Sequence, residues 1–457
     1  MESKFNKIIL IATSLGAFIV PFMTSSVNIA LPSISKDFVM NSVVLNWIAL
    51  SFILANAIFI LPFGRLADIL GRKKLLLCGM SAFTLSSLLC GLSFNPAMLI
   101  IARTLQGISG AAIAVTVLSI LTSVFPVGAR GKALGLNVAM TYMGLSIGPF
   151  LGGLLTKYLG WRSIFFFITF IGVIVIISLY NIKQEWSEAK GEKFDYIGSA
   201  IYGISLIGII TGFSIIRTTW GPLFIFIGLV SIIIFGFFES KASHPILNMT
   251  LLKNNRILTF SSLAALTSYS ATFALSYLLS LYLQYNKGYD PSQAGLILIA
   301  QPIVMTLFSP LAGKLSDKIE PQKVASLGMI ITTIGLSFFI FLKESTSIHY
   351  IITALLILGF GFALFSSPNT NAIMSSVDKK YYGITSGILG ASRSVGQTLS
   401  MGIASLVLAV YIGNEQISSG NAANLLKSIR VTFIILTVLC FAGIFASLAR
   451  GKMQKNI

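Results

Sequence analysis

Gly64-Arg65-Leu66-Ala67-Asp68-Ile69-Leu70-Gly71-Arg72-Lys73-Lys74 gathers five charged side chains between two apolar runs. A degraded copy, Gly313-Lys314-Leu315-Ser316-Asp317-Lys318-Ile319-Glu320-Pro321-Gln322-Lys323, recurs in the second half of the chain. Such a repetition implies a duplicated structural unit. Each copy is flanked by apolar runs of about 20 residues, so the charged stretch reads as a short connection between two membrane-crossing helices.

Composition agrees. Of the 457 residues 55% are hydrophobic and only 10% charged, against roughly 25% charged in soluble domains, so the lipid bilayer is the solvent for most of the chain. The net charge of +18 sits in short loops between apolar runs, which is topogenic charge and not a nucleic-acid face. Cys78, Cys90 and Cys440 lie within apolar runs without paired spacing, so neither a disulfide framework nor a metal site is expected. Lys4 and Lys7 precede an apolar run that continues to Leu31. That is longer than a signal-peptide core, and it reads as an uncleaved first span.

Apolar runs near 8–31, 45–66, 75–94, 97–124, 132–157, 162–181, 196–216, 221–239, 258–284, 293–314, 323–342, 349–375, 383–411 and 429–449 predict fourteen spans. With both termini and the even-to-odd loops on the cytoplasmic side, 22 Lys and Arg fall inside and 8 outside, the bias expected of a correct topology in a plasma membrane. Aligning Gly64 with Gly313 pairs span 2 with span 10. The expected fold is therefore an all-α integral membrane protein arranged 6+2+6. Residues 1–181 form an N-terminal six-helix half, 182–257 a linker and an inserted helix pair, and 258–457 a C-terminal six-helix half with a short cytoplasmic tail. The stretch from Asn181 to Asp195 holds four of the fourteen acids and reads as a cytoplasmic linker, not a folded module.

Three motifs carry mechanism. In the opening loop Gly64 permits close helix approach, Asp68 can satisfy a helix N-terminus, and Arg65, Arg72, Lys73 and Lys74 face anionic headgroups. With Gly71, and Asp317 in the second copy, these groups could latch one conformation. In span 4, Arg103 and Gln106 stand three apart on an otherwise apolar helix; a charge there needs a cavity or a partner, and either a functional or a structural arginine satisfies that. In span 5, Gly144, Gly148 and Gly152 recur at i+4 beside Pro149, a smooth face with a backbone bond removed.

The loop resembles the signature between helices 2 and 3 of the major facilitator superfamily, Arg103-Thr104-Leu105-Gln106-Gly107 resembles its helix 4 motif, and Gly144 to Gly153 its antiporter motif. Together with Val27-Asn28-Ile29-Ala30-Leu31-Pro32, Trp47-Ile48-Ala49, Gly160-Trp161-Arg162, Asp195-Tyr196-Ile197-Gly198, Tyr282-Leu283-Gln284 and Gln293-Ala294-Gly295, the chain resembles the fourteen-helix drug:proton antiporter family from end to end. The resemblance implies a multidrug efflux transporter, a monomer without cofactor driven by the proton gradient. It also implies a loop that docks near Tyr382 to Ser386, a coupling role for Arg103, and export. One departure stands out: Met23 occupies a position where many members carry Asp.

Every one of the fourteen acids falls in a loop or at a helix end, and His244 and His349 are peripheral too. Buried Asp, Glu or His normally serve as proton relays, so coupling would fall to the rim acids Asp37 and Asp68. A dicationic substrate would find no counter-charge at midplane. Neutral, zwitterionic or anionic amphiphiles fit better, with Arg393 and Arg103 as counter-charges. Candidate cavity residues are Ser25, Asn28, Gln106, Asn137, Tyr142, Gln301, Asn369, Arg393 and Gln397; each can equally be interhelical glue. An uncoupled facilitator and an exporter of a neutral or anionic metabolite remain as alternatives. A polytopic membrane enzyme would need converging catalytic groups, and the two separated histidines argue against it.

Overall fold

The computed structural model describes residues 2–451 except Pro126, Asn181, Lys183, Glu188, Ala189, Ser243, His244, Asn248, residues 378–381, Asn414 and Ser418. The side chains of residues 2–7, 122, 127–135, 138, 317, 382, 383 and 419 also lie outside the description. The chain runs α1 (Glu2–Phe38), α2 (Ser42–Leu70), α3 (Arg72–Gly91), α4 (Pro96–Val124), α5 (Val127–Leu159), α6 (Arg162–Tyr180), α7 (Tyr196–Ser214) and α8 (Trp220–Glu239). It continues through a short α9 (Met249–Asn254), α10 (Arg256–Thr272), α11 (Leu275–Leu281), α12 (Pro291–Leu298), α13 (Ala300–Lys318), α14 (Pro321–Phe338), α15 (Ile348–Ser375), α16 (Tyr382–Tyr411) and α17 (Ala422–Ala449). Among the described residues there is no strand, and thirteen stretches are long and apolar enough to cross a membrane. The 33-residue α5 lies between the fourth and fifth of these.

Local sequence fixes the starts. Asn41, Asn95, Asp195, Asn255, Asp290 and Ser347 each accept a hydrogen bond from the backbone N–H three residues on, which satisfies one of the orphan donors of a first turn. Two expected spans are not continuous α-helices. Around Ala274 the backbone N–H turns to the Ser400 hydroxyl at 3.0 Å, and Tyr282–Asn286 widens into a π-turn. The tenth span is interrupted at Ile299 between α12 and α13. At about 1.5 Å per residue the 37-residue α1 outruns a ~30 Å hydrocarbon core, which carries Asp37 beyond the bilayer's apolar interior.

Packing repeats. In the first set α5 lies along α1, α4 between α2 and α3, and α6 on α3; in the second, α16 lies along α10, α15 between α13 and α14, and α17 on α14. The two sets meet along two seams, α2 with α16 and α5 with α12 and α13. Helices α7 and α8 pack mainly on each other, and α7 bridges the sets. Its Tyr202 hydroxyl donates to Ala57 O of α2 at 3.1 Å, and Ser214 meets Ser405 of α16 at 2.9 Å.

Candidate functional site

Midway along the α5 seam the Tyr142 hydroxyl lies 3.2 Å from Ser366 Oγ of α15, and Ser146 Oγ lies 3.5 Å from Thr306 Oγ1 of α13. Arg393 of α16 donates from Nη2 to Thr370 Oγ1 at 2.8 Å, with its guanidinium 5.6 Å from the centre of the Tyr269 ring. Tyr269 and Arg393 are electrostatic neighbours of Tyr142 across the seam, and Phe362 stands edge-on to Tyr269 at 5.3 Å. The buried Arg393 Nε has no partner, and no carboxylate pairs with the guanidinium among the described residues. A guanidinium carries five N–H donors, so this one retains capacity for an acceptor among aromatic rings.

Of the expected cavity residues, Tyr142 and Arg393 are brought together here. Gln397 is half-buried one turn beyond Arg393, so the two share a helix face. Asn137 is buried on α5 with an unpartnered Nδ2, and Gln301 is half-buried on α13. Three others are bonded between helices through their side chains, and Asn28 through its backbone. Gln106 is 0% exposed and joins Arg103 to Ser87 inside the first set. Ser25 bonds within α1 and reaches Gly144 O, Asn369 donates to Ser261 O of α10, and the Asn28 carbonyl receives the Ser280 hydroxyl. Arg103 is bonded between helices as well. At 1% exposure it donates to Ile48 O of α2 at 3.1 Å and lies 4.3 Å from the Phe52 ring centre, so it ties α4 to α2 away from the seam. Met23 is fully buried in the core, so an acid there would be cut off from water. Ser366, Thr370, Tyr269 and Phe362 escaped the sequence reading, although Ser366 and Thr370 stand four apart on one helix face.

Among the described residues the seams are tied together at one end. There Lys157 pairs with Asp290 at 3.0 Å, Gln284 donates to Ile29 O at 2.9 Å, and Ser42 bonds to Gly413 O at 2.7 Å and, through its N–H, to Glu415 O at 3.0 Å. The Gln293 N–H and the Lys157 ammonium hold the Asp290 carboxyl below its ordinary range, so this clasp persists at neutral pH and loosens only on strong acidification. The α5 glycines belong to the same closure. A Cβ on Gly144 would stand 2.6 Å from Phe18 O and one on Gly152 2.7 Å from Ser26 Cβ, while one on Gly148 would overlap the Ser25 hydroxyl; α5 therefore lies flush on α1. On its other side a Cβ on Gly295 would overlap the Pro149 carbonyl. Along α2 and α16 the contacts run from Thr398 and Ile53 O (3.4 Å) through Asn56 and Ser394 (3.5 Å) to Ile60 beside Gly390. Beyond them no atom of the described residues lies within 4 Å of a Cβ built on Gly64 or Gly387, so the described parts of the two helices have parted before they reach the charged loop.

Among the described residues that loop is held by the linker; the Tyr382 side chain, where docking near Tyr382 to Ser386 is expected, lies outside the description, as do the Asp317 side chain and His244. Glu185 receives the backbone N–H groups of Lys73 and Lys74 at 2.8 and 3.0 Å, the Trp186 carbonyl receives that of Arg72 at 2.8 Å, and Glu192 pairs with Arg65. Glu185, and not Asp68, thus satisfies the N-terminus of α3. Gly71 is required twice, because its φ is +110° and because a Cβ would stand 2.5 Å from the Glu185 carboxyl carbon. Asp68 is engaged by Arg72 at 2.8 and 3.0 Å. At the opposite end Asp37 is engaged by Arg162 at 2.7 Å and by the Trp161 indole at 3.1 Å. Glu185→Ala is expected to cost about 1 kcal/mol at the α3 start and to free the linker, read as several-fold faster tryptic cleavage at Lys190. An unchanged cleavage rate would contradict the clamp.

A bilayer-spanning bundle of two repeated sets, clasped at one end and parted at the other around a half-engaged arginine, has the build of a membrane transporter. Comparison with known proteins agrees. The model of the Major Facilitator Superfamily matches residues 13–243 and 261–455. The multidrug resistance protein Stp of Mycobacterium tuberculosis (strain CDC 1551 / Oshkosh) is 31% identical over 88% of this chain and 76% of its own. The riboflavin transporter RibZ of Clostridioides difficile (strain 630) is 29% identical over 100% of both. The human organic anion transporter MFSD10 (TETRAN) shares the fold with a TM-score of 0.65 over 98% of this chain and 99% of its own, at 13% identity. The chain belongs to the Major Facilitator Superfamily, and it is a multi-pass membrane transporter, not an enzyme.

Proposed function

We propose that the chain exports small amphiphilic compounds across the plasma membrane by alternating access, as a monomer of fourteen spans arranged 6+2+6 with both termini in the cytoplasm. The observation that carries the substrate class is Arg393, a cation with spare donors between Tyr142 and Tyr269 and without an acid beside it. It favours anionic, zwitterionic or neutral solutes with an aromatic body over dications. Relatives named for multidrug resistance and for riboflavin transport support a small-molecule solute, and the α5 glycine motif supports export.

With the charged loop on the cytoplasmic side, the parted end faces the cytoplasm and the Lys157–Asp290 clasp faces outward, the state that receives a solute for export. Proton-coupled antiport is the leading energetic reading, carried by Asp68 and Asp37. Both acids are already engaged by arginines, and this observation favours uncoupled facilitation as the second reading. Proteoliposomes loaded with fluorescent anionic, neutral and cationic amphiphiles test both. Antiport predicts efflux that follows an imposed pH gradient and stops when the gradient is collapsed. Efflux indifferent to the gradient and to the membrane potential would leave only the facilitator.

A further inference from the structure

Glu239, the last residue of α8, is 2% exposed. Its Oε2 receives the Leu247 N–H at 2.9 Å, while Oε1 is buried and receives nothing. Facing it, Asp195 caps α7 through Oδ1, which accepts the Gly198 N–H at 2.8 Å, and its Oδ2 is buried and equally without a donor. The two orphan oxygens crowd one point. A Cβ on Gly198 would overlap Glu239 Oε1 and Asp195 Oδ2 alike, and each carboxyl is the other's charged neighbour. Two dry carboxylate oxygens converging on one point repel if both are bare, whereas one proton between them allows an O–H···O bond. We propose that Asp195 and Glu239 share one bound proton, so that the inserted helix pair carries a protonation site.

Glu239 sits at the negative, C-terminal end of α8, where a charge of the same sign is disfavoured, so the proton rides on Glu239 Oε1 and is donated to Asp195 Oδ2. Among the described residues, which do not include His244 of the segment after α8, the remaining charged groups on the elements around the pair are turned elsewhere. Lys193 before α7, Lys241 beyond α8 and Lys253 of α9 are exposed, Arg65 of α2 is paired with Glu192, and Arg393 of α16 is bonded to Thr370. The segment after α8 contributes the Leu247 N–H. Among the described residues no Lys or Arg forms an ion pair with either carboxyl. Loss of the proton would set a second anion against Asp195 and push the end of α8 from the start of α7. Asp195 is three residues from Glu192, which holds Arg65 of the charged loop, and α7 touches both α2 and α16. The site is therefore placed to carry pH to the loop and to the α2–α16 seam. It stands whether or not transport is proton-coupled, and its test does not read transport.

The test is pH-difference infrared spectroscopy of the full chain in nanodiscs, with wild type compared to Glu239→Gln and Asp195→Asn. Either amide keeps a neutral donor between the partners, and the second variant covers the case that the first does not fold. The expected wild-type signal is a protonated-carboxyl band that disappears on titration between about pH 5 and 9 and is absent from both variants. Thermal stability of the wild type should fall as pH rises and the proton leaves, with a flat profile in the variants. A titrating band that survives in either variant, or no such band in the wild type, would overturn the proposal.

Discussion

Arg393→Ala is expected to lower export of an anionic or zwitterionic amphiphile by about 10- to 150-fold, the factor set by losing ~1.5–3 kcal/mol of charged hydrogen bonding. The side chain is tethered through Thr370 and flanked by Tyr269, so a solute acceptor meets donors already held in place and little ordering cost is left. Arg393→Lys should recover part of the loss, because it keeps the charge and gives up the planar fork. Neutral solutes of the same shape should change little. Transport by vesicles matched for protein amount decides the matter: an equal loss for neutral and anionic solutes would mean that Arg393 supports the fold and not the solute.

Gly295→Ala is expected to have an effect as large by a different route. Its Cβ would overlap the Pro149 carbonyl, a backbone atom of the other set that cannot swing aside as a flexible side chain can. Overpacking of this kind costs ~1–3 kcal/mol. Because the contact exists only while this end is closed, the whole cost falls on one conformation and shifts the balance by about 5- to 150-fold. The readout is labelling of Ser35→Cys, a position 0% exposed whose carbonyl receives the Gln416 side chain across the closed end, in a background without the exposed Cys78. Faster labelling by an impermeant maleimide and loss of transport are expected together. Unchanged labelling would show that Gly295 does not govern closure.

The membrane-spanning helices were legible because apolar run length and capping residues are local signals: Asn95-Pro96 and Asp290-Pro291 announce helix starts in the sequence itself. The loop from Gly64 to Lys74 was legible for the same reason. Its partner was not. Glu185 and Glu192 read as solvated linker charges, and only the folded chain shows them bound to α3 and Arg65. Gln106 and Arg393 illustrate the same limit. Both are polar groups inside apolar helices, yet one is satisfied by Arg103 and Ser87 within one set while the other keeps free donors at the seam. The sequence places every acid in a loop or at a helix end, but sequence distance hid that Asp195 and Glu239, 44 positions apart by their numbers, meet at Gly198.

Alternating access requires the two ends of the bundle to open in turn. Pulsed electron–electron distance measurement tests it most directly, with one spin-label pair on the exposed Leu70 and Ile384 at the parted end and another on the exposed Tyr158 and Glu344 at the clasped end. On adding a transported solute, the account predicts that the first distance shortens while the second lengthens, in the same fraction of molecules. Two distances that stay fixed, or that lengthen together, in protein that still transports would contradict it.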